Sequence, residues 1–241
     1  MARCPFAQWH PITGPSGRHV GGPYKIVHHT TEGSSAAGAF AAFDAHRSDP
    51  HFTVDGTTVY QHVDTDLAAR ALRHDRGTPE TNRDSAVQIE VVGFAGAPKR
   101  TATLKNVARL CRWIEQTHAI PRVWPAGLPK PPVRGRDPGG HRRDPAIWGN
   151  QGGHFGHSQV PSNTHWDPAY TTVEADYVLH ATFDADGALT NRNDPAVAPL
   201  LARAAVPATE YAPEVMDDHD ADAGEPDGEG ENEVGDGDGR P

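Results

Sequence analysis

Only two of the 241 residues are cysteine, Cys4 and Cys111. That is too few for a disulfide framework, and the spacing is not that of a sulfur-rich metal site. Cys111 falls on the apolar face of a helical pattern and reads as a small core residue, with a single bridge to Cys4 left open. Aromatic residues make up 7% and no basic patch is interleaved with them, which argues against nucleic acid as a partner. A run of 18 or so apolar residues is also missing, which argues against a membrane span. The opening stretch from Met1 to His10 has no apolar core segment. No secretory signal is therefore expected, and the chain is read as cytoplasmic, or as released or delivered to an outside target by lysis or a secretion system.

Hydrophobic residues account for 36%, low for a fully packed chain, and the deficit is concentrated at one end. From Glu214 onward twelve Asp or Glu face Arg240 alone, a net charge of −11 against −10 for the whole chain. Residues 207–241 are therefore expected to form a disordered acidic tail, which cannot bury enough apolar surface to offset its ordering entropy. The remaining chain is close to neutral. Such a tail could contact a delivery partner, although a solvated tail is the simpler reading.

The rest has the length of one domain, 21–206, after an irregular Pro- and Gly-rich lead-in, 1–20. Tyr24 to His29 is a short β-branched run that fits a buried strand. An Ala-rich helix is expected from about Ser34 to Arg47. His51 to Asp55 and Thr58 to Val63 then flank Asp55-Gly56 as a hairpin. Val87 to Gly93 alternates as a strand with Gln88 and Glu90 on one side. Thr101 to His118 places Leu104, Val107, Leu110, Cys111 and Ile114 at helical spacing. Residues 121–153 show no periodicity, and a loop of this length is usually functional, so it is read as groove lining. Helices are expected near 172–182 and 195–205. The class is α/β, a central mixed β-sheet flanked by helices.

Among fifteen histidines, placement matters more than number. His28 or His29 ends the first strand, and His157 precedes Asp167 by ten residues. Two imidazoles and a carboxylate are the ligand set of a catalytic zinc that keeps one position open for water. Amide hydrolysis would also need a carboxylate to move the water proton, and Glu90 in the strand interior is the candidate. No compact pattern such as His-Glu-x-x-His closes the set on one helix.

Four stretches occur in a familiar order: Ile26 to Gly33, the hairpin His51 to Gln61, Val87 to Gly93, and Gly156 to Pro168. Together they resemble the type 2 N-acetylmuramoyl-L-alanine amidases, which share a fold with peptidoglycan recognition proteins and phage endolysins. The resemblance implies one Zn²⁺ held by His28, His157 and Asp167, with His29 on the opposite face. It also implies Glu90 as catalytic base and His165 as the oxyanion-stabilising group where many members carry Lys. A histidine there must be protonated or donate Nε2–H, and a requirement for the cation would make activity fall above roughly pH 7. His51, Arg73, His74 and Trp166 are expected to touch substrate. Pro50 and the stretch Ala69 to Leu72 depart from the family pattern in the groove.

The implied substrate is peptidoglycan or a muropeptide, acted on by a monomer. The alternatives are a non-catalytic peptidoglycan-binding module and a structural zinc protein closed by His154 or His165.

Overall fold

Strand pairing starts where β-branched residues alternate with residues that can tolerate burial. In the computed structural model, which describes residues 2–205, β3 (Lys25–Thr30) and β7 (Ala86–Val91) lie side by side with every residue buried. The acidic tail foreseen for 207–241 lies outside the described residues. Around this pair is a six-stranded sheet in the order β1-β5-β4-β7-β3-β8. Its other members are β1 (Gln8–Trp9), β4 (Phe52–Val54), β5 (Val59–Gln61) and β8 (Gly153–Gly156). Only β4 and β5, the expected hairpin, pair antiparallel, so the sheet is mixed. A second, two-stranded ribbon joins β2 (Gly17–Arg18) to β6 (Leu67–Ala68).

Because side chains alternate, the register decides which residues share a face. His29 stands opposite Glu90, and Thr53 does too. Val27, His29, Gln88, Glu90 and Phe155 therefore share one face. Ile26, His28, Val87, Ile89 and His154 share the other.

The second face packs on α2 (Thr101–His118), whose Leu104, Val107, Leu110, Cys111 and Ile114 are completely buried as the periodicity predicts. Residues of α4 (Thr172–His180) and α5 (Ala198–Ala205) complete this core. The first face carries α1 (Ala36–His46) and a smaller cluster of Val27, Phe155, Ile147 and Trp148. Cys4 and Cys111 are both buried free thiols. No helix among the described residues is long and apolar enough to cross a membrane.

Two regions depart from the sequence reading. The lead-in is tied down: Asp49 accepts from Thr13 N–H at 2.7 Å, Gly14 N–H at 3.1 Å and Arg70 Nη2 at 2.7 Å. Two-residue strands leave no periodicity to detect. Within 121–153, α3 (Pro145–Asn150) is capped by Asp144, whose carboxylate accepts from Ala146 and Ile147 N–H, with proline at the first turn. The edge strand β8 follows. Gly153 there has φ +138, and a Cβ would lie 2.7 Å from the Val123 carbonyl, so only glycine fits.

Burial alone would raise the Asp49 pKa, but Arg70 and the hydroxyl and amide of Thr13 outweigh it and the net shift is downward. A depressed folded-state pKa contributes stability above the usual carboxylate range that is lost as pH falls through the folded value. Asp49→Asn is therefore expected to lower stability at pH 7 by about 1–3 kcal/mol. Urea melts of both proteins should converge as the pH drops below about 4.

Candidate metal centre

Two clusters of ligand-type side chains form among the described residues, each with its donor atoms within 4.8 Å of one another. One joins His29, His157 and Asp167. The other joins His28, Cys111 and His154. The sequence-derived set of His28, His157 and Asp167 is thus not brought together. Register is the reason: His28 pairs with Ile89 and faces α2, whereas His29 pairs with Glu90 and faces the cleft. His154 lies on the His28 side, so it cannot close a site around His157.

The first cluster lines a cleft of about 670 Å³ at the carboxyl ends of β3 and β7. Its walls come from α1 through Phe43 and His46, from Ala71 and Arg73, and from the segment that ends at Asp167. No residue of 121–153 lines this cleft, against expectation. That loop acts from behind, where Arg143 Nη2 donates to the carbonyls of Thr164 at 3.0 Å and His165 at 2.8 Å.

Each ligand-type group is held by the backbone around it. His157 opens a short 3₁₀ turn after β8, and Ser158 N–H donates to the Asp167 carbonyl at 2.9 Å, closing the loop between them. Thr30 N–H, at the end of β3, donates to Asp167 Oδ2 at 3.0 Å. The facing atoms are close: His29 Nδ1 to His157 Nδ1 is 3.0 Å and His157 Nδ1 to Asp167 Oδ1 is 3.2 Å.

The proton positions follow from the partners. Asn163 Nδ2 donates to the carbonyls of Arg73 and Pro161, so its Oδ1 is the acceptor 3.0 Å from His157 Nε2. His157 therefore carries Nε2–H and a lone pair on Nδ1. His29 Nε2 and Gln88 Oε1 are each buried without a hydrogen-bond partner. The His157 lone pair points at His29 Nδ1, 3.0 Å away, beside the Asp167 carboxylate. Burial pulls the His157 pKa down, but the Asp167 carboxylate overcomes it and leaves it raised. Burial and the neighbouring His157 together lower His29 to about 3. Asp167, which burial alone would raise, is held far below the usual range by His157, His29 and Thr30 N–H.

Glu90 reaches into the same cleft, its Oε1 3.9 Å from His29 Nδ1. Its Oε2 is buried without a partner. Burial pushes its pKa well up, reinforced by Asp167 and Glu32. His165 is exposed at the rim with its ring stacked on His157 at 4.8 Å and 7°. Partial burial and the nearby His157 lower its pKa, so it enters as neutral imidazole, an N–H donor.

The expected substrate contacts divide. Arg73 lines the cleft, paired with Asp75 at 2.8 Å. His51 does not: it is fully buried, donates Nε2–H to the Leu67 carbonyl at 2.8 Å and accepts Gln88 N–H on Nδ1 at 2.9 Å. It is a core residue joining β4 to β7. His74 bonds to the Pro79 carbonyl, and neither it nor Trp166 is among the cleft-lining residues. Asn163, Gln88 and Glu32 lie within the motif stretches, but nothing in the sequence marks them as site residues, because each matters only through what the fold sets beside it.

A family model described as N-acetylmuramoyl-L-alanine amidase matches residues 21–170. Among solved structures, the chain is similar to a selenomethionine derivative of AmpD at 15% identity, covering 73% of this chain and 96% of that one, with a TM-score of 0.46. It is also similar to the Staphylococcus aureus hydrolase AmiA in complex with its ligand, at 18% identity over 69% and 74% of the two chains, with a TM-score of 0.44. PlyL matches at 17% identity over 48% and 76%, with a TM-score of 0.39. No curated protein matches the sequence.

Proposed function

Since the chain belongs to the N-acetylmuramoyl-L-alanine amidase family, we propose that it hydrolyses the amide between N-acetylmuramic acid and L-alanine, using one zinc ion held by His29, His157 and Asp167. The observation that carries this reading is the convergence of His29, His157 and Asp167, with donor atoms within 4.8 Å of one another, in an open cleft that also holds Glu90. The donor set is that of a catalytic rather than a structural zinc, since three protein ligands leave one position open. The two candidates for a fourth ligand fail: His154 faces the other core, and the side chain of His165 is 71% exposed.

Bound zinc would lower the pKa of its water to roughly 7 and polarise the scissile carbonyl. The chain supplies the rest. Asn163 holds the His157 imidazole in the tautomer that presents Nδ1. Glu90, with a free buried oxygen on the same side, accepts the proton of the attacking water and delivers it to the leaving L-alanine amine. His165, at the rim, would offer a ring N–H to the oxygen of the tetrahedral intermediate. Arg73 lines the cleft and would contact the substrate. A binding module has no use for an unpartnered carboxyl beside a metal site, which favours the enzyme.

The test is digestion of muropeptides by the zinc-loaded chain. New L-alanine amino termini should appear with no new reducing sugar ends, cease on chelation and return with added zinc. Reducing ends without amino termini, or no turnover at any zinc level, would sink the reading. Asn163→Ala, which frees the His157 tautomer, is expected to weaken zinc affinity by about 10–100-fold in a chelator competition.

A further inference from the structure

The second cluster has the same separation between its histidines. His28 Nε2 lies 3.0 Å from His154 Nδ1. On the far side, His154 Nε2 is 2.9 Å from Glu115 Oε1, and Glu115 is also paired with Arg112 and with Arg122 at 3.0 Å. A carboxylate held by two guanidinium groups only accepts, so His154 must carry Nε2–H and present a lone pair on Nδ1. His28 must then carry Nε2–H to meet it. That leaves a lone pair on His28 Nδ1, which the Tyr170 hydroxyl, 3.4 Å away, is placed to satisfy. One assignment of protons fills every position with neutral rings. Nothing in this chain of donors calls for a cation, and Trp124, 5.3 Å from each ring, helps enclose it.

Each inner member adjoins a proposed ligand. His28 precedes His29, His154 lies three residues before His157, and Tyr170 three after Asp167.

We propose that Glu115, His154, His28 and Tyr170 form a fixed hydrogen-bond relay, not a second metal site, which ties together from the far face of the sheet the three segments that carry the zinc ligands. These are positioning residues; none of them touches the cleft. Their role rests on the metal centre proposed above, so the test reads the relay in metal-free protein as well.

In the full chain carrying ¹⁵N-labelled histidine, His28 and His154 should both appear as Nε2–H tautomers with slowly exchanging protons. They should stay so after one and two equivalents of zinc. An Nδ1–H tautomer on either ring, or loss of the His28 Nε2–H on adding zinc, would overturn the relay. Tyr170→Phe removes only its last donor. In the metal-free chain this should speed amide exchange of Thr30 and Ser158, whose N–H groups bond to Asp167, on the order of tenfold. Exchange in α5 should be unchanged. No change at Thr30 and Ser158, or a uniform rise across the chain, contradicts the positioning role. Failure of the wild type to bind zinc would refute the metal centre alone, since tautomers and exchange still decide the relay.

Discussion

His29→Ala is expected to abolish stoichiometric zinc binding and to reduce muropeptide turnover by more than about 100-fold, the upper range seen when only a supporting residue of a metal site is lost. The neighbouring variant His28→Gln should still bind one zinc at saturating concentration. The two residues are adjacent in sequence and their rings lie in different environments. His29 presents Nδ1 to His157 and Asp167 in the cleft, while His28 is fully buried against α2 and donates to His154. A glutamine amide can still supply that donor. Its cost should therefore appear in stability, about 1–3 kcal/mol for the unfilled hydrogen bonds, and not in zinc stoichiometry. Metal analysis after dialysis, with urea melts of both variants, separates the two roles. If His28→Gln lost the metal and His29→Ala kept it, the assignment would be reversed.

Glu90→Gln should keep its zinc and lose about 10²–10⁴-fold in kcat, the usual contribution of a positioned general base. The carboxyl is 7% exposed and keeps one oxygen free of any partner, an arrangement that costs stability and contributes nothing to packing. Glutamine has the same shape without the charge, so the fold should not suffer. The split matters: a loss of kcat at constant zinc content identifies a proton carrier, whereas parallel loss of both would make Glu90 part of the metal shell. Single-turnover rates on a defined muropeptide, with zinc measured in the same samples, are the readout.

Much of this arrangement is legible in the sequence where a period is long enough to repeat. The helix at Thr101–His118 and the central strands emerge from apolar spacing, and His157, Asp167 and Glu90 from their motifs. What the sequence does not contain is the register between strands. Choosing between His28 and His29 requires knowing that His29 stands opposite Glu90, a relation set by pairing over a separation of some sixty residues. The motif resemblance favours the first histidine, whereas the register sets the second in the cleft beside Glu90.

His51 misleads for a similar reason. A histidine beside a hairpin looks available until Leu67 and Gln88 are found to occupy both of its nitrogens. The long loop 121–153 was expected to touch substrate because it lacks periodicity. Arg143 instead braces from outside the segment that ends at Asp167, and Trp148 of the short helix donates Nε1–H to the Glu80 carbonyl at 2.9 Å. Asp144-Pro145 carries the helix-start signal, and β8, bounded by glycines, carries none.

X-ray absorption at the zinc edge distinguishes the two histidine clusters in one measurement. Zinc held by His29, His157 and Asp167 should show only nitrogen and oxygen neighbours at about 2.0–2.2 Å, with imidazole scattering from two rings and no sulfur. A sulfur shell at about 2.3 Å would place the ion with His28, Cys111 and His154 and contradict the account.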